Sequence, residues 1–168
     1  SLAGCTFTGN TAVGDGGGMY NSNSSPILAD CAFASNSAYR AGGMYNSYSS
    51  PSLAGCTFTG NTAVGDGGGM YNADSIPILA GCTFASNSAD LGSGMYNYNS
   101  DPTLTDCTFT TNVADYGGGG MWNSSSSPAL SSCTFTGNSA YTGGGIFSRN
   151  FSSPTLADCT FTECCQVH

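Results

Sequence analysis

Apolar residues recur along the chain in a fixed order, Leu, Cys, Phe, Met, with threonine, serine, asparagine and glycine between them. Cys5, Cys31, Cys56, Cys82, Cys107, Cys133 and Cys159 mark the period, at steps of 26, 25, 26, 25, 26 and 26 residues. Two residues after each comes Phe7, Phe33, Phe58, Phe84, Phe109, Phe135 or Phe161. Three further on stands Asn10, Asn36, Asn61, Asn87, Asn112 or Asn138, and in the last repeat Cys164 takes that place. In Leu-x-x-Cys-Thr-Phe-Thr, apolar and hydroxylated residues alternate, which predicts a strand with an apolar inner face and a hydroxylated outer face. A second block follows: a glycine run, then Met19, Met44, Met70, Met95, Met121 or Ile146, then an aromatic. The aromatics are Tyr20, Tyr45, Tyr71, Tyr96, Trp122 and Phe147, predicted to point outward while the Met column points inward. No segment keeps a helical 3.6 period, and Gly, Asn and Pro punctuate the strands.

A unit of this length repeated at a fixed period contacts only its neighbours and stacks. The prediction is an all-β, right-handed parallel β-helix (a β-solenoid) of about seven coils of 25–26 residues, each with two or three short strands. It forms a single solenoid domain over residues 1–168 without evident caps, a rod of about 34 Å at the usual spacing of strands in a sheet. The gap between the Asn and Met columns runs 9, 8, 9, 8, 9, 8, so the deeper unit is a 51-residue pair of coils. Residues 1–21 reappear unchanged at 52–72, the mark of a duplication.

Composition narrows the chemistry. The 168 residues include 25 glycines, no lysine and only two arginines, Arg40 and Arg149, for a net charge of −8. Phosphate backbones are held by clustered Lys and Arg, so nucleic acid is excluded as a partner. No apolar run reaches the ~20 residues of a membrane span, and no signal-peptide pattern opens the chain. Uncharged polar coils without lysine point to an extracellular or cell-surface protein.

The pairing of Phe-x-x-Asn, as in Phe7-Thr8-Gly9-Asn10, with Gly-Gly-x-apolar, as in Gly16-Gly17-Gly18-Met19, resembles the repeat of the polymorphic outer-membrane proteins of chlamydiae. The fuller phrase CTFTGNSA…GGGMYN…SSPTL is similar to β-helix repeat proteins of environmental bacteria. The resemblance spans the whole chain and implies a β-helical passenger of the kind involved in adhesion.

Four sets of residues are candidates for chemistry. The cysteine column is either a row of buried thiols or a set of bridges; zinc motifs cluster their cysteines and add histidine, and no cofactor is expected. Cys164 and Cys165 depart from the repeat, giving nine cysteines in all, and are candidates for an intermolecular bridge. The outward pairs Thr6/Thr8, Thr57/Thr59, Thr108/Thr110 and Thr134/Thr136, continued by Thr160/Thr162, form a hydroxyl grid that resembles the ice-binding face of insect antifreeze solenoids, although Thr is also an ordinary outward strand residue. If exposed, the column Tyr20, Tyr45, Tyr71, Tyr96, Trp122 offers a stacking stripe for glycans; if not, it is core.

Catalysis has one candidate, Asp90 with Asp115 on adjacent coils, of the type β-helix enzymes use on polysaccharides. Both lie in turns, without a neighbouring His or Arg column. Asp15 and Asp66 stand two coils apart. Three glycosylation sequons begin at Asn23, Asn123 and Asn150. The expected function is an extracellular, non-enzymatic structural or adhesive solenoid, either part of a longer surface passenger or stacked end to end with itself through the edges 1–9 and 160–168, with glycans or surface molecules as further partners. Ice binding and polysaccharide cleavage are its rivals.

Overall fold

The computed structural model of the protein describes residues 1–166, so Val167 and His168, at the tip of the expected 160–168 edge, lie outside the described residues. The backbone winds into a parallel β-solenoid of about six complete turns, with no helix among the described residues. Each full turn carries four short strands rather than two or three. In one turn these are Ser52–Ala54, Thr57–Thr59, Thr62–Ala63 and Met70–Ala73. Like strands of successive turns pair in parallel, giving a Leu sheet and a Phe sheet of seven strands each, and an Ala sheet and a Met sheet of six.

The extra strand arises at the residue before the cysteine. Gly4, Asp30, Gly55, Gly81, Asp106, Ser132 and Asp158 all adopt φ between 51 and 61°. This left-handed conformation, open to Gly and tolerated by Asp and Ser, bends the chain sharply. The predicted single strand through Leu-x-x-Cys-Thr-Phe-Thr is therefore two strands in two sheets, with the cysteine at the corner between them. Three more positive-φ residues, Gly60, Gly67 and Asp74, mark the other corners of the same turn.

Between corners the register is strict. Leu28 lies beside Leu53, Phe33 beside Phe58 and Met44 beside Met70. A one-residue slip would turn each apolar column to solvent, so burial fixes the register. The Phe rings stack with centroids 4.6–4.8 Å apart and near-parallel planes. Phe58 and Phe109 are 0% exposed, and the Leu, Cys, Phe and Met columns form one continuous core. Each fully buried side chain of this size contributes about 1.5–3 kcal/mol. Only at the terminal turns do the columns open, leaving Cys5, Phe7 and Cys159 partly covered and Phe161 exposed. The glycine run has a steric cause: a Cβ on Gly69 would lie 2.5 Å from Gly94 O and 3.0 Å from Phe84 Cδ1.

Buried asparagines link the turns with no hydrogen-bonding capacity left over. Asn61 Nδ2 donates to Asn87 Oδ1 (3.0 Å) and to Phe33 O (2.9 Å), while Asn61 Oδ1 accepts from the backbone N–H of Asn36 (3.1 Å) and from Asn36 Nδ2 (3.0 Å). The pattern runs from Asn10 to Asn138, where Asn138 Nδ2 approaches the Cys164 sulfur at 4.0 Å. A buried amide with every donor and acceptor paired specifies one arrangement rather than penalising it.

Candidate functional site

Two further ladders, not singled out in the sequence, complete the interior. Asn46, Asn72, Asn97 and Asn123 follow the aromatic of each turn and bond amide to amide, with Asn72 Nδ2 donating to Asn97 Oδ1 at 2.9 Å. Ser49, Ser75, Ser100 and Ser126 accept the backbone N–H of the preceding turn's serine and donate to the carbonyl two residues back. Their constant spacing was the available signal. Asn123, one of the three sequons, is fully buried in this ladder, whereas Asn23 and Asn150 are exposed.

The aromatic column lies outside the main core, as expected, but does not face solvent. Tyr45, Tyr71, Tyr96 and Trp122 are 5–6% exposed, and only Tyr20, at the open end, is half exposed. They form a second core with Ala41, Leu91 and Phe147, covered by the segment that leads into each Met strand. Those segments turn through Gly16, Ala41, Gly67, Gly92 and Gly118 at positive φ and fold back over the rings. A glycan stripe on these ring faces is thereby ruled out by burial. Within the stack, Trp122 Nε1 is buried without a hydrogen-bond partner.

At the rim of this stack lies the densest group of charges. Arg40 Nε and Nη2 donate to Asp15 Oδ1 and Oδ2 at 2.8 and 2.7 Å, a bidentate pair. Its guanidinium also lies 5.1 and 5.4 Å from the ring centroids of Tyr45 and Tyr71. Arg149 covers Trp122 in the same way at 4.9 Å, so both arginines of the chain cap this one column. Asp66, one turn beyond Arg40, has its carboxyl pushed up to about 6 by burial and by the charge of Asp90, with Arg40 and Arg149 opposing.

Asp90 and Asp115 do occupy adjacent rungs of the Ala sheet, beside a register shift. Asp90 is raised by partial desolvation and then by the charge of Asp115. Nearby, Val13, Tyr39 and Val64 border a shallow groove of about 260 Å³. Among the described residues no group of three or more His, Cys, Asp or Glu side chains gathers to hold a metal ion.

The remaining candidates fall on the outer and end surfaces. Thr6, Thr8, Thr57, Thr59, Thr108, Thr110, Thr134 and Thr136 point outward from the Phe sheet, and register places Ala32, Ala34 and Ala85 among them. All nine cysteines are free thiols. At Cys82 the adjacent Cys107 favours the thiolate, but Cys56 and burial together oppose it more strongly and push the thiol up to about 11. Cys164 occupies the Asn column with its sulfur directed at Phe135 O, while Cys165 pairs with Ser139 and is exposed.

Residues 1–161 match the family model for a right handed beta helix region, and the chain belongs to that family. No curated protein and no solved structure matches the chain. No helix is long and apolar enough to cross a membrane among the described residues.

Proposed function

We propose that the chain is a structural or adhesive rod that acts outside the cell or at its surface, without enzymatic activity. The observation that carries this role is the uniformity of the turns: the Leu, Cys, Phe, Asn, Ser and Met columns are all devoted to joining each turn to the next. The Phe-x-x-Asn and Gly-Gly-x-apolar pairing, which resembles chlamydial surface passengers, supports an adhesive task. Contacts with glycans then fall to the exposed Tyr39, Tyr116 and Tyr141 of the Ala-sheet side rather than to the buried column.

The terminal turns present open strand edges and cut ends of the apolar stacks; Leu156 is 46% and Phe161 43% exposed. A continuing turn satisfies both, whether it belongs to the same polypeptide or to a second copy stacked head to tail. Register determines what such a junction contains. Cys159 would continue into Cys5, but Cys164 would meet Asn10 and Cys165 would meet Thr11. The expected covalent lock by Cys164 and Cys165 is therefore out of register in a head-to-tail stack, and a Cys165 bridge joins two C-terminal ends instead.

Negative-stain electron microscopy of the purified protein tests the assembly. Filaments with an axial rise of roughly 34 Å, persisting in reductant, are the expected result. Dispersed rods overturn self-stacking and leave a segment of a longer passenger. One observation favours a second role: the Thr pairs of the Phe sheet are in register and outward-facing, as an ice-binding grid requires. Thermal hysteresis that falls on Thr59→Tyr and Thr110→Tyr would establish that role; its absence removes it. Release of reducing ends from a polysaccharide panel would contradict the non-enzymatic role.

A further inference from the structure

Two stacks of rings run along the rod, and packing shape alone accounts for only one of them. The Phe column repeats one residue without exception. The second column sets Tyr20, Tyr45, Tyr71, Tyr96 and Trp122 face to face, with successive centroids 5.2, 5.0, 4.7 and 6.3 Å apart and planes within 15° of parallel. Phe147 continues it 4.1 Å from Trp122, so a plain ring fits this column too. At Trp122 the indole even carries a cost: its N–H is buried without a partner, which phenylalanine would avoid.

Tyrosine and tryptophan differ from phenylalanine in giving up an electron readily. Electrons pass between such rings when they touch, and here each ring stacks on the next. Tyr45, Tyr71, Tyr96 and Trp122 are 5–6% exposed, whereas Tyr20 is 53% exposed. Burial raises the phenols of Tyr45, Tyr71 and Tyr96 above their ordinary value, so the resting column is protonated and neutral. Arg40 over Tyr45 and Tyr71, and Arg149 over Trp122, disfavour a positive charge on the rings they cover. An electron vacancy is therefore passed on from these rings rather than trapped there.

We propose that this column is a path for one-electron oxidation, along which an oxidising equivalent arriving at Trp122 is delivered to Tyr20. The co-reactant is a one-electron oxidant, such as an inorganic radical, which takes one electron from the indole and is itself reduced. Trp122 Nε1 has no acceptor for its proton, so the radical formed is the cation, the more strongly oxidising form. Tyr96 refills it, Tyr71 refills Tyr96, and Tyr45 and Tyr20 follow in turn. At the half-exposed Tyr20 the phenolic proton passes to water, and its loss draws the sequence forward. In sum the oxidant gains one electron, Tyr20 loses one electron and one proton, and every other ring is restored.

The chain holds a single tryptophan, so Trp122 can be oxidised selectively. Laser photoionisation at the red edge of indole absorption, with a cobalt(III) ammine complex taking up the ejected electron, starts the reaction on the full chain. Transient absorption should show the indole radical decaying as a phenoxyl radical appears, and a nitroso spin trap should label Tyr20, located by mass spectrometry. Tyr96→Phe should prolong the indole radical. Tyr71→Phe should abolish labelling of Tyr20 with little change in melting temperature, because the ring keeps its shape. Should that variant fail to fold, Tyr45→Phe takes its place with the same expected loss. Tyr98→Phe, at an exposed tyrosine outside the column, should change nothing. Labelling of Tyr20 that survives both Tyr71→Phe and Tyr45→Phe, an indole radical of unaltered lifetime in Tyr96→Phe, or labelling confined to Tyr98 or Tyr116 overturns the proposal.

Discussion

The Phe sheet and the corner that leads into the Met sheet perform the same backbone task, joining one turn to the next, with opposite chemistry. In the Phe sheet, seven strands place Phe over Phe at a constant spacing and nothing else is admitted. Along the corner column Asp15, Arg40, Asp66, Leu91, Gly117 and Thr142, no two neighbours are alike. The difference follows from solvent. A ring sealed on all sides can be matched only by a partner of the same shape at the same height, because interiors are close-packed. At the corner one side stays wet, so a charge pair, an apolar side chain or a bare glycine can each fill a rung, and the loop length alternates between 8 and 9 residues.

Substitutions should separate the two regions by size of effect. The largest is expected from Phe84→Ala, which breaks the stack at its centre and should lower unfolding free energy in urea by about 3–5 kcal/mol. Asn87→Ala should follow at about 2–4 kcal/mol, since it takes one hydrogen bond each from the buried Asn61 Nδ2, the Asn61 N–H and Phe58 O. At the corner, Arg40→Met removes the pair with Asp15 and the cover over Tyr45 and Tyr71, yet should cost only about 1 kcal/mol because the site is partly solvated. A loss at Arg40 as large as that at Phe84 would erase the distinction.

The smallest effect is a pH dependence. Asp66 holds its proton more tightly in the folded chain, near 6, than in the unfolded one, near 3.9. Its contribution to stability is therefore complete below about pH 4 and is lost as the pH rises through about 6. Asp66→Asn should flatten the melting temperature between those values and leave the protein at pH 7.5 more stable, by less than about 1 kcal/mol after screening by solvent. A melting profile that still falls between pH 4 and 6 in this variant would assign the effect elsewhere.

These regions also differ in how far the chain announces them. The Leu, Cys, Phe, Asn and Met columns are legible because the packing demand is identical in every turn, and repetition of the demand is repetition of the letter. The bend before each cysteine is hidden because Gly, Asp and Ser all tolerate a positive φ, so the column shows mixed letters for one conformation. The burial of Tyr71 and Trp122 is hidden too, since the lid over them comes from the segment most variable in length and type. Arg40 occurs once, and no period points to it; its pairing with Asp15 emerges only when the turns are stacked.

The central claim is that the interior ladders, and not the corners, hold the solenoid together. Native-state hydrogen exchange tests it most directly. The amides of Phe84, Asn87 and Met95, which lie in or beside the ladders, should exchange only through global unfolding, while those of Gly65, Asp90 and Gly92 at the corner should exchange faster through local opening. Protection at the corner equal to that of the Phe and Met strands would contradict the account.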